Sequence, residues 1–112
     1  MSHRWSTPDA AIREVYERPI QRARAIDHAA PRTGSPESAA EALHAQTQVL
    51  AVLAQYSREE RAVLVGWAFG MSYRSMARAM GCSDWRVRQM HKRVWSQVRD
   101  RLVSLGLVAT ST

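Results

Sequence analysis

Residues 84–94, DWRVRQMHKRV, hold the side chains with the most defined chemistry in the chain. Arg86, Arg88, Lys92 and Arg93 crowd into them, with Gln89 between and with Val87, Met90 and Val94 at the spacing of a buried helical stripe. On a helix Trp85, Arg88, Gln89, Lys92, Ser96 and Arg99 share one face at i, i+3, i+4, i+7, i+11 and i+14, and Arg86 and Arg93 flank it. A guanidinium fork matches phosphate oxygens and the O6/N7 edge of guanine, and a carboxamide matches N6/N7 of adenine. Arg86 or Arg88 therefore suits a guanine edge and Gln89 an adenine, whereas Lys92, Arg93 and Arg99 suit phosphates, as do Arg74 and Arg78 just upstream. Trp85 suits either the edge of a core or a contact with a sugar or a thymine methyl.

A charged run is most often an ordinary solvated helix face, so the distribution of charge has to decide. From Ser72 to Arg101 eight cations stand against Asp84 and Asp100, a net of +6. The other residues carry eight basic and eight acidic side chains, which cancel, so the whole excess of the chain lies in that segment. Such localisation is the electrostatic footprint of an element that meets a polyanion. Fifteen of the sixteen basic residues are arginine, a bias that codon usage alone can produce.

Other chemistries find little support. The carboxylates form no acid/base pair at a recognisable spacing, no nucleophile has a partner base, and no glycine loop could cradle a phosphate. An enzyme is not expected, and neither is a cofactor. His3, His28, His44 and His91 lack ligand spacing, so no metal site is expected. Cys82, the single cysteine, reads as a packed core thiol rather than a redox switch, and one cysteine fits a reducing cytoplasm. No apolar run approaches the roughly 20 residues that span a bilayer, and MSHRWSTPDAA has no apolar signal core, so no membrane partner is expected.

The elements that must position these residues read as helices throughout. Thr7-Pro8-Asp9 announces a first helix over about 8–28, with Ile12, Val15, Tyr16, Pro19, Ala23 and Ile26 on one stripe and Pro19 predicted to kink or split it. HAAPRTGSP, residues 28–36, is a linker by composition, and Ser35-Pro36-Glu37 repeats the start signal. The alanine-rich helix that follows has a broad arc with Leu43, Val49, Leu50, Val52 and Leu53, which predicts neighbours on both sides, one of them a second copy of the chain. Ser57-x-x-Glu60 is a capping box ahead of Ala62, Val63, Leu64 and Val65, in a helix ending at Phe69-Gly70. Ser72 caps a short helix with Met76, Ala77 and Met80 inward and Gly81 at its end; Ser83 caps the last, from Asp84 to about Leu105, closed by Gly106. Its buried stripe is Val87, Met90 or His91, Val94, Val98, Leu102 and Leu105, while Trp67, Phe69 and Trp95 read as core. The predicted fold is all-α: an N-terminal helix and linker over 1–35, then a helical domain over 36–112 whose helix-turn-helix occupies about 73–101.

Residues 56–102, YSREERAVLVGWAFGMSYRSMARAMGCSDWRVRQMHKRVWSQVRDRL, resemble region 4 of bacterial sigma factors and related phage and response-regulator DNA-binding domains. The carrying words are Ser57-x-x-Glu60-Arg61, Gly70-Met71-Ser72-Tyr73, Met76-Ala77, Gly81, Ser83 and Val87-Arg88. Cys82 and Trp85 depart from that pattern, which commonly has Ile or Val and a small residue there, and no other sigma region is present. The first residues, Trp5-Ser6-Thr7-Pro8, resemble small phage-encoded regulators. The resemblance implies a helix-turn-helix whose second helix enters a major groove, contacting DNA through Ser83, Trp85, Arg86, Arg88, Gln89, Lys92, Arg93, Arg74, Arg78 and Arg99. The expected protein is a phage-derived, sequence-specific regulator of transcription that binds double-stranded DNA, as a homodimer through its N-terminal helices. Three other readings compete: a phage small terminase subunit that assembles as a ring, a regulator that binds RNA polymerase through a sigma-like surface, and a binder of nucleic acid without sequence preference.

Overall fold

A computed structural model describes residues 4–25 and 36–110, with only the backbone course described over 18–25 and 36–38. Five helices follow one another: α1 (Pro8–Ala25), α2 (Pro36–Leu53), α3 (Arg58–Ala68), α4 (Tyr73–Met80) and α5 (Asp84–Ser104). Among the described residues there is no strand, only an isolated bridge between Trp5 and Val108, so the fold is all-α. None of these helices is long and apolar enough to cross a membrane.

Capping chemistry sets the boundaries. The Thr7 hydroxyl accepts from the Ala10 amide at 3.2 Å and opens α1. α1 then runs through Pro19 as one element, so of the two outcomes expected there, a kink or a split, the split does not occur. Ser57 and Glu60 make the reciprocal capping box of α3, and Ser72 and Ser83 cap α4 and α5 from extended backbone. Gly81 ends α4 at φ 70°, a left-handed conformation that costs an L side chain but not glycine. Pro19 and Ala23 lie where only the backbone is described; Ile26 and most of the 28–36 linker lie outside the described residues.

Two apolar clusters hold the bundle together. The larger joins Ile12 and Val15 of α1, Val49, Val52 and Leu53 of α2, Leu64 of α3, Val94, Val98 and Leu102 of α5, and Leu107 and Val108 beyond it. The N-terminal helix thus shares the core of the helices after the linker. Trp5 seals this end: its amide donates to the Leu107 carbonyl at 3.0 Å and its indole Nε1 to Glu14 Oε2 at 2.9 Å. The smaller cluster holds Val63, Met76, Ala77, Val87 and Met90, with Trp67, Tyr73, Met80 and Cys82 packed on it. Helix α5 contributes to both, and so its direction is fixed along its length.

Gly66 of α3 sits against Met76 of α4. A Cβ there would lie 2.8 Å from Met76 Sδ. Several predicted core positions are on the surface instead. Tyr16 and Phe69 are exposed, because Tyr16 falls at the rim of the α1 stripe and Phe69 caps α3 beyond its last buried turn. Ala62 also faces solvent, and Val65 and Leu105 are half-buried. On α2 only one side of the broad arc is covered: Leu43 is 54% and Leu50 45% exposed. Cys82 is a half-buried free thiol at the edge of the smaller cluster, not fully inside it.

Candidate nucleic-acid interface

The position of each cation on α5 follows from where that helix buries its apolar side. Val87, Met90, His91, Val94, Val98 and Leu102 are all buried, so Met90 and His91 share the stripe that the sequence assigned to one or the other. At roughly 100° per residue the opposite face runs from Arg88 through Arg99, Lys92, Trp85, Ser96 and Gln89 to Arg93 and Arg86, an arc of about 160°. Trp85, Arg86, Arg88, Gln89, Lys92, Arg93 and Arg99 are exposed, as are Ser83 in the preceding turn and Arg74 and Arg78 on α4. Ser96 is half-buried, with its hydroxyl turned back to the Lys92 and Arg93 carbonyls.

The two flanks of this arc are held differently. On one flank Arg86 reaches Glu59 at 3.4 Å and Arg93 reaches Glu60 at 2.9 Å, both carboxylates belonging to the first turn of α3. The Glu60 carboxyl is held below the usual carboxylate range, first by the Ser57 amide and then by Arg93. On the other flank the Arg88 guanidinium lies over the Tyr73 ring, 5.4 Å from its centroid. Tyr73 is held in turn, stacked on Trp67 with its hydroxyl 2.8 Å from His91 Nδ1. Arg99 bonds the adjacent Asp100. Among the described residues Arg74, Arg78, Arg88 and Lys92 make no ion pair.

Comparison with protein-family models, curated proteins and solved structures finds no match to this chain. The site must therefore be judged on its own geometry.

Beneath the cationic face His91 is enclosed by Trp67, Trp95 and Tyr73, at ring-centroid distances of 4.4, 5.3 and 5.6 Å. Its Nε2 is buried with no hydrogen-bond partner, and burial holds its pKa below the ordinary value, opposed in part by the Asp9 carboxylate. The neutral ring is a packed core element that props Tyr73 under Arg88. Among the described residues no three His, Cys, Asp or Glu side chains gather as metal ligands would.

Two things about the site were not read from the sequence. The pairing of Glu59 and Glu60 with Arg86 and Arg93 joins residues 27 and 33 positions apart. The Trp67–Tyr73–His91 assembly that carries Arg88 joins three helices, and no local pattern announces it. The Ser83 hydroxyl is taken up by its own helix, accepting from the Arg86 amide at 3.1 Å, so its role here is that of a cap.

Proposed function

We propose that the chain is a sequence-specific regulator of transcription that binds double-stranded DNA, with α4 and α5 as its helix-turn-helix and α5 as the helix in the major groove. The observation that carries this reading is the α5 face itself. A capped helix presents Arg88, Lys92, Gln89 and Trp85 outward, backed by its own buried stripe and by both apolar clusters. An α-helix with side chains, about 10–12 Å across, fits a major groove about 12 Å wide. Residues of the first turns would meet base edges, and Lys92, Arg93, Arg74 and Arg78 would meet phosphates. The transcriptional part of the reading, and its phage origin, rest on the resemblance of residues 56–102 to sigma region 4.

One such module reads a short site, and pairing of two copies would double it. The exposed Leu43 and Leu50 on α2 favour a second copy as the occupant of that side. From residue 39 to 56 Glu41 is the only charged side chain, so two chains of net charge +6 can meet there with little like-charge contact.

Fluorescence anisotropy with duplex DNA from about 50 to 200 mM salt tests the central reading. If about four cations meet phosphates, log K falls with a slope of roughly −3.6 in log[salt], some 150-fold over that range. Lys92→Ala should make the slope shallower by about 0.9. Absence of duplex binding at the low-salt end, or a slope near zero, refutes the reading.

A further inference from the structure

Trp85 is the apolar feature of the α5 face, and charge does not explain it. It is 68% exposed, the most exposed of the large hydrophobic side chains among the described residues. Tryptophan in an interior or at a core edge is mostly covered; here the indole stands at the centre of an arc of cations with Gln89 beside it. A solvated face gains nothing from an uncovered indole, and a purely phosphate-binding face has no use for one.

We infer that Trp85 reads the C5-methyl group of a pyrimidine, a thymine in ordinary DNA, in the major groove. This rests on the proposed function above and names the base that the site selects. The methyl group is the one apolar feature that a base pair shows in the major groove, and apolar side chains read it. The surroundings of Trp85 favour DNA over a protein partner as the occupant. Arg88 and Lys92 share its face without an ion pair, and Arg86 and Arg93, each paired with a carboxylate of α3, lie at its flank, a match to a polyanion rather than to an ordinary protein surface.

The spacing along α5 sets where that thymine would fall relative to another base. Trp85 and Arg88 are three residues apart on one helix face, so their Cβ atoms are about 5–6 Å apart. Base pairs rise about 3.4 Å each, so the two side chains reach bases one or two steps apart. Arg88 is steadied against the Tyr73 ring, so its reach is set by α4 as well as by its own helix. The base read by Arg88 and the thymine read by Trp85 should form one fixed, adjacent unit of the recognised site.

The test uses the full chain and the site recovered from a random duplex pool. Each thymine is replaced in turn by deoxyuridine, which removes the methyl and leaves every hydrogen-bonding group. At one position the change should weaken binding about four-fold, the effect of uncovering one methyl-sized group. That position should lie one or two base pairs from the position whose preference is lost in Arg88→Ala. Trp85→Ala should bind the thymine and deoxyuridine duplexes equally, while Trp85→Phe, which keeps an apolar ring, should retain the difference. Replacing that thymine by 5-methylcytosine, paired with guanine, should cost less than replacing it by cytosine. A recovered motif bound equally well with deoxyuridine at every position overturns the inference and leaves the DNA-binding reading standing. So does a Trp85→Ala chain that still tells thymine from deoxyuridine. A pool that yields no motif removes both.

Discussion

Gly81 offers the cleanest perturbation of the turn that aims α5. Its φ is 70°, and a Cβ added there would meet no other atom within 4 Å. Substitution therefore carries no packing penalty, and the whole cost of Gly81→Ala is conformational. An L residue in the left-handed region costs roughly 1–2 kcal/mol. The stiffer unfolded chain returns about 0.4–1 kcal/mol of this, which leaves a net loss of about 1 kcal/mol. For a chain of 112 residues the entropy of unfolding is about 0.24 kcal/mol/K, so the melting temperature should fall by about 4 °C. Asparagine tolerates the left-handed region, so Gly81→Asn should fall between the parent and the alanine variant. Urea unfolding followed by tryptophan fluorescence measures this, with unchanged m-values showing that the denatured state is the same. A Gly81→Ala chain as stable as the parent, or an asparagine variant weaker than the alanine one, refutes the reasoning.

Gly66→Ala should also destabilise, for the opposite reason: the Met76 thioether, itself only 2% exposed, stands 2.8 Å from the new methyl. Overpacking of about 1–3 kcal/mol outweighs the roughly 1 kcal/mol gained in helix propensity; an equal effect in a Met76→Ala background would exclude the clash as the cause. Burial lowers the pKa of His91, so the unfolded chain takes up the proton first, and stability present above about pH 6.5 is lost as pH falls below it. Thermal melts from pH 7.5 to 5 should decline more steeply for the parent than for His91→Phe, and parallel curves would contradict this. Glu59→Gln should leave stability nearly unchanged, since both members of its pair with Arg86 are 61% exposed, yet raise affinity for duplex DNA about two- to five-fold by releasing Arg86. Titration of Glu59→Gln with and without Arg86→Ala checks this, and the gain should vanish in the double variant.

Much of the framework was legible in the sequence because it is written locally. Thr7, Ser57 with Glu60, Ser72 and Ser83 each satisfy backbone donors within three residues, so their spacing alone predicts where helices begin. Gly81 announces its turn in the same way, and the α5 stripe is fixed by period. What was illegible depends on which helix lies against which. Nothing local says that Tyr16, Phe69, Leu43 and Leu50 are left uncovered while Gln46 goes inside; that follows from the packing of α1, α2 and α3 around α5. The same holds for Glu59 and Glu60, which look like ordinary first-turn carboxylates until α3 is placed beside α5. Gly66, a glycine in the middle of a helix, was a local oddity whose reason, the approach of α4, lies ten residues away at Met76. On α5 the sequence predicted which side chains share the exposed face but not the supports on its flanks.

Sequence-specific binding by α5 can be measured by selecting bound fragments from a random double-stranded pool against excess non-specific DNA at about 150 mM salt, where purely electrostatic binding is weak. One motif should be recovered, with the preference at one of its positions lost in Arg88→Ala. Recovery of no motif, or of the same motif by the parent and by Arg88→Ala, would contradict sequence-specific binding by α5.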